Sequence, residues 1–154
     1  MGHLFFTAGL TIALAAVCVW IAVVDFREMR IPDLASLPLI AAGLLLSGVA
    51  SHLALADRLI GAGVGFLALW AIGEAYFRWR GVEALGIGDA KLYAAAGAWL
   101  GWAALPAVLL IAAVMGLVFA ALRPSQHPSK TQSGLAFGPW LAAAFLVCWL
   151  HLIF

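Results

Sequence analysis

From Leu4 to Val24 the chain runs for 21 residues without a charge. That stretch constrains the fold more than any other feature. A helix rises about 1.5 Å per residue, so about 20 apolar residues cross the ~30 Å hydrocarbon core of a bilayer. In lipid every backbone amide needs an internal partner, which makes an α-helix the form such a run takes. The run exceeds the about 7–15 apolar residues of a signal peptide. Met1-Gly2-His3 before it carries no Lys or Arg, so it reads as a retained first span. Composition agrees: 66% of residues are hydrophobic and 10% charged, against about a quarter charged in a soluble domain. The net charge of +1 offers no basic surface, so no nucleic-acid partner is expected; the lipid bilayer is.

Further apolar runs follow, separated by short polar segments. The hinge over residues 25–33 contains Pro32, which is expected to stop the first helix, and Asp33, which is placed to cap the second. Residues 90–122 are apolar apart from Lys91, but a single helix of that length would be roughly 50 Å long, too long for one span. Gly101-Trp102 and Pro106 mark the break. The reading is an all-α integral membrane protein of six transmembrane helices, at 4–24, 34–51, 59–77, 90–100, 105–122 and 135–154. Residues 123–133 form the one strongly polar loop. Residues 1–154 then form a single transmembrane domain with no room for a soluble one. Cys18 and Cys148 lie in apolar runs without a CxxC spacing and read as small buried hydrophobes. Trp79, Trp99, Trp102 and Trp149 read as interface anchors.

The loops after helices 1, 3 and 5 hold Arg27, Arg30, Arg78, Arg80, Lys91, Arg123 and Lys130, and the other side holds Arg58. Positive charge marks the cytoplasmic side. Asp25 and Asp89 then fall together, at the cytoplasmic ends of helices 1 and 4.

Those two carboxylates are the candidates for chemistry. Asp25 closes the first apolar run, and Asp89 ends the tetrad Gly86-Ile87-Gly88-Asp89 that opens the fourth helix. An ionisable group at membrane depth is costly and marks a functional site. Two held close share one proton, which leaves an acid and a base on either side of a water. The negative end of helix 1 favours a protonated Asp25, and the positive end of helix 4 an ionised Asp89. Asp89 is therefore expected as base and Asp25 as acid. Gly86 and Gly88 can take positive φ and let a substrate approach the backbone. The pattern has plainer readings. The tetrad could be a loop in which Asp89 caps helix 4, and Asp25 could pair with Arg27 or Arg30.

Three blocks in order carry a resemblance. Gly86-Ile87-Gly88-Asp89-Ala90-Lys91-Leu92 with Gly97-Ala98-Trp99-Leu100-Gly101 resembles the GxGDxKL…GAWLG block of type IV prepilin peptidases. Asp25 with Arg30-Ile31-Pro32-Asp33, and Phe137-Gly138-Pro139-Trp140-Leu141-Ala142, resemble two further blocks of the same family. The resemblance implies a GxGD intramembrane aspartyl endopeptidase, with Asp25 and Asp89 catalytic. Gly86, Gly88, Lys91, Gly138 and Pro139 are expected on the substrate side, although Lys91 also serves as a topology anchor. The implied substrates are prepilins or pseudopilins, cut at the cytoplasmic face of a bacterial inner membrane. The chain resembles the short, peptidase-only form, without the N-terminal cysteine-rich methyltransferase part of longer members.

No cofactor or metal is expected, since the chain lacks HExxH and His3, His52, His127 and His151 are scattered. Glu74 is placed to pair with Arg78 at i,i+4. A signal-peptide-peptidase-like enzyme fits less well, because Val24-Asp25 and Phe-Gly-Pro replace its Tyr-Asp and Pro-Ala-Leu. A rhomboid-type serine protease lacks its Gly-x-Ser. A proton-coupled transporter or assembly subunit would need midplane polar residues, and helices 1, 5 and 6 have almost none.

Overall fold

In a computed structural model the described residues are 2–81, 85–122 and 136–153. They form α1 (Gly2–Glu28), α2 (Asp33–Ser51), α3 (Leu55–Arg80), α4 (Ile87–Leu100), a 3-10 turn (Trp102–Ala104), α5 (Leu105–Leu122) and α6 (Gly138–Ile153). The predicted polar loop lies outside the described residues.

Four of these segments are long and apolar enough to cross a membrane: Phe5–Glu28, Asp33–Ser51, Leu55–Arg80 and Trp102–Leu122. The protein is therefore a multi-pass, all-helical membrane protein. α6 is apolar but shorter, at 16 residues. α4 has 14 residues, about 21 Å of helix, which does not cross a bilayer by itself.

The breaks follow local chemistry, with two corrections. α1 does not stop because of Pro32. It continues through Asp25 to Glu28 and ends where Met29 turns left-handed (φ 53), its N–H donating to the Asp25 carbonyl at 2.9 Å. Nothing in Asp25-Phe26-Arg27 opposes a helix, so it runs on one turn past the apolar boundary. Asp33 is not the cap of α2 either. Pro32 holds that position with extended backbone (φ −69, ψ 132), and Asp33 is the first helical residue. Proline's fixed φ suits a helix start as well as a stop. The break between α4 and α5 falls at Gly101, whose φ of 76 suits glycine.

α4 is the hub. Ten of its 14 residues are buried, and α2, α3 and α6 pack around it. Its run of Ala and Gly permits this, because in a bilayer small residues let helix backbones approach closely. At the α3 contact a Cβ on Gly97 would collide with the Gly61 carbonyl. On α2, Gly43 leaves room for the Trp99 indole.

Two tryptophans expected at the interface are in this core. Trp99 and Trp149 are buried and stack edge-on with centroids 5.1 Å apart. Their indole N–H groups donate to the Leu39 carbonyl (2.8 Å) and to Thr11 Oγ1 (3.1 Å). With the polar edge satisfied, such a ring buries well. Trp79 and Trp102 are exposed, as expected of anchors. Arg58 is also buried, its guanidinium donating to the Leu44 carbonyl at 2.7 Å in space that Gly48 leaves open. It ties α3 to the far end of α2. At the opposite end the ends of α1 and α3 meet the starts of α2, α4 and α6. That end holds the candidate site.

Candidate active site

Both aspartates come together here. Asp25 lies in the last turn of α1 and is only 6% exposed. Its Oδ2 accepts the backbone N–H of Gly138, the first residue of α6, at 3.1 Å. Neither Arg27 nor Arg30 pairs with it; among the described residues the ion pairs are Arg78–Glu74 (2.8 Å) and Lys91–Asp33 (2.5 Å). The first is the i,i+4 pair expected from the sequence.

Asp89 is the third residue of α4 and is partly buried. Its Oδ2 accepts the Gly86 N–H at 3.2 Å, while its own N–H donates to the Gly86 carbonyl at 3.1 Å. It therefore caps α4 as the plainer reading had it, and it also faces the other carboxylate. An open cleft of about 650 Å³ contains both aspartates. Its walls are residues 28–33 of the α1–α2 connection, the Gly86-Ile87-Gly88 turn, and Ala136 and Phe137 before α6.

Gly86 and Gly88 line the cleft but do not take the positive φ that the sequence led us to expect. Gly86 is extended (φ −75, ψ 149), and Gly88 lies in the first helical turn; neither has positive φ. Gly88 is small because Ile31 packs against it: a Cβ there would lie 2.8 Å from Ile31 Cβ. At Gly86 a Cβ would meet Asp89 Oδ2 at an ordinary 3.6 Å. Of Gly86, Gly88 and Gly138 the last is the most tightly constrained, because a Cβ there would fall 2.6 Å from Asp25 Oδ2. Gly138 and Pro139 are both buried. Lys91 is outside the cleft lining, its ammonium on Asp33.

Burial, then the charge of Asp25, push the Asp89 carboxyl up to about 7, against the lowering effect of the Gly86 N–H. The positive end of α4 was expected to keep Asp89 ionised. Loss of water and a like charge outweigh it.

Among the described residues no three of His, Cys, Asp and Glu converge to hold a metal ion. The arrangement suits hydrolysis by a carboxylate pair, with each carboxylate oriented by a backbone amide. Sequence reasoning missed Glu28, Met29 and Ile31 as cleft residues. Glu28 was findable, since it sits at i+3 from Asp25 once α1 is allowed to continue.

Residues 12–121 match a sequence model of the type IV leader peptidase family. The chain is 43% identical over 148 residues to a prepilin leader peptidase/N-methyltransferase of Dickeya chrysanthemi, covering 94% of this chain and 52% of that protein. A protein of the same name from Pectobacterium carotovorum subsp. carotovorum is 43% identical over 122 residues, covering 79% and 44%. One from Aeromonas salmonicida (strain A449) is 41% identical over 137 residues, covering 84% and 46%. The chain thus spans about half the length of these curated relatives. No solved structure matches it.

Proposed function

The chain belongs to the type IV leader peptidase family, and from that premise we propose that it is an aspartyl endopeptidase that removes the leader from prepilins or pseudopilins. The observation that carries this reading is that Asp25 and Asp89 line one open cleft, each bonded to a backbone amide. The test is direct. Purified protein is incubated with a prepilin-junction peptide, and the products are read by mass spectrometry. A single cut before the apolar segment supports the reading; an intact peptide overturns it.

In the mechanism we propose, a water sits between the carboxylates. Asp25 takes its proton as the water attacks the scissile carbonyl, and protonated Asp89 donates to the substrate. Burial and the charge of Asp25 push the Asp89 carboxyl up to about 7, and it must be protonated to act as the acid. Activity therefore falls roughly tenfold per unit above that pH, as Asp89 loses its proton, and falls again in acid once Asp25, the base, is itself protonated. A kcat profile that stays flat to pH 9 would reverse or remove this assignment.

We place the cleft at the cytoplasmic face of a bacterial inner membrane. The four long helices cross the bilayer, and α4, shielded by its neighbours, reaches into it from that face. The excess of Lys and Arg at this end supports the orientation. In a background without native cysteines, Ala56→Cys should label only from outside and Ser129→Cys only from the cytoplasm. Outside labelling of Ser129→Cys would invert the arrangement. The single membrane unit is taken as a peptidase, with the precursor and the surrounding lipid as its partners.

A further inference from the structure

The α1–α2 connection touches the supports of both aspartates. Ile31 is 9% exposed and lies between the first turns of α4 and α6. A Cβ on Gly88, next to Asp89, would be 2.8 Å from Ile31 Cβ. A Cβ on Gly138, whose N–H holds Asp25, would be 3.0 Å from Ile31 Cδ1. One side chain is thus wedged between the backbone that carries Asp89 and the backbone that orients Asp25. Two residues on, Asp33 accepts the Lys91 ammonium. That contact ties the same connection to α4, two residues past Asp89 and 58 residues away in sequence.

We infer that Ile31 and the Asp33–Lys91 pair set the separation of the two carboxylates, with Ile31 as the spacer and the ion pair as the clamp that keeps it seated. All three are positioning residues. Lys91 does not line the cleft, so substrate contact does not account for it. Stability accounts for little either. The Lys91 side chain is 19% exposed but that of Asp33 60%, and an ion pair open to water on one side adds only modestly to folding. Spacing at a reacting pair matters more, because a misplacement of about 1 Å can cost on the order of a hundredfold in rate.

The inference rests on the aspartates being the catalytic pair, so the test has one arm that needs no catalysis. In the cleavage assay, Lys91→Met, Asp33→Asn and Ile31→Ala should each lower kcat by roughly 10–100-fold with KM little changed. Ile31→Leu, which reaches as far, should keep most of the rate. The charge exchange Lys91→Asp with Asp33→Lys should recover much of what either single reversal loses. In the second arm, Asp25→Cys with Asp89→Cys, in a chain without its native cysteines, is bridged by thiol cross-linkers of graded length. Lys91→Met or Ile31→Ala should shift or broaden the preferred length. Wild-type kcat in Lys91→Met, Asp33→Asn or Ile31→Ala, or a raised KM with kcat intact, would overturn the inference. So would an unchanged cross-linking profile, and that arm still reports if the wild-type protein cleaves nothing. A variant that misfolds is replaced by Ile31→Val or Lys91→Gln, judged by the same two readouts.

Discussion

Asp25→Asn and Asp89→Asn should each reduce cleavage by at least 100–10,000-fold, the usual contribution of a positioned acid or base. Asparagine is nearly isosteric and its carbonyl oxygen can still accept an amide proton. The Gly138 N–H to residue 25 and the Gly86 N–H to residue 89 therefore keep their partners, and the unfolding temperature should hold. Removing charge from a buried pair also removes a desolvation cost. What is lost is the proton transfer. An asparagine in place of Asp25 could not take a proton from water, and one in place of Asp89 could not donate one at this step. Because the two act as a unit, the double variant should be little slower than either single one. The measurements are kcat on a prepilin-junction peptide and thermal unfolding of the purified protein. Turnover within about tenfold of wild type in a folded single variant would mean that the pair is not the catalytic centre.

Gly138→Ala should be nearly as damaging, although it changes no ionisable group. The added methyl would sit 2.6 Å from Asp25 Oδ2, 3.0 Å from its Cγ and 3.0 Å from Ile31 Cδ1. Real Cβ atoms do not approach a neighbour that closely. Asp25 is buried in the last turn of α1, so its carboxylate must rotate away and give up the Gly138 N–H. A loss of about 100-fold or more in kcat is expected, from misorientation and not from unfolding. Gly9→Ala is the control: on the same helix as Asp25, a Cβ there meets nothing within 4 Å. It should leave both kcat and unfolding unchanged. Near-normal turnover by Gly138→Ala would mean that Asp25 does not need this amide. Gly138 entered the sequence reading only through a motif at the start of the last helix. Its contact with Asp25 spans 113 residues, and no local pattern encodes that.

The legible part of this chain was the part that lipid dictates. A bilayer accepts only runs of sufficient length with every amide satisfied, so the four long helices could be placed, α5 with the bounds observed; the shorter α4 and α6 followed from the breaks beside them. Gly101 and Pro106 broke the long apolar run at the right place because their effects are local. The two aspartates were visible because charge at the edge of an apolar run is costly wherever the chain goes next. Four matters depended on neighbours far away in sequence, and only the tertiary structure decided them. Trp99 and Trp149 look like interface residues until Leu39 and Thr11 satisfy their N–H groups inside the core. Gly88 looks like a residue in need of positive φ until Ile31 fills the space beside it. Lys91 shows no partner in the sequence, and it is the fold that sets it on Asp33, 58 residues away. The raised pKa of Asp89 follows from burial and from Asp25 across the cleft, against the helix end on which it sits. Desolvation and like charge act through space, so the sequence by itself determined which residues reach this end of the bundle, and the packing decided what each of them touches there.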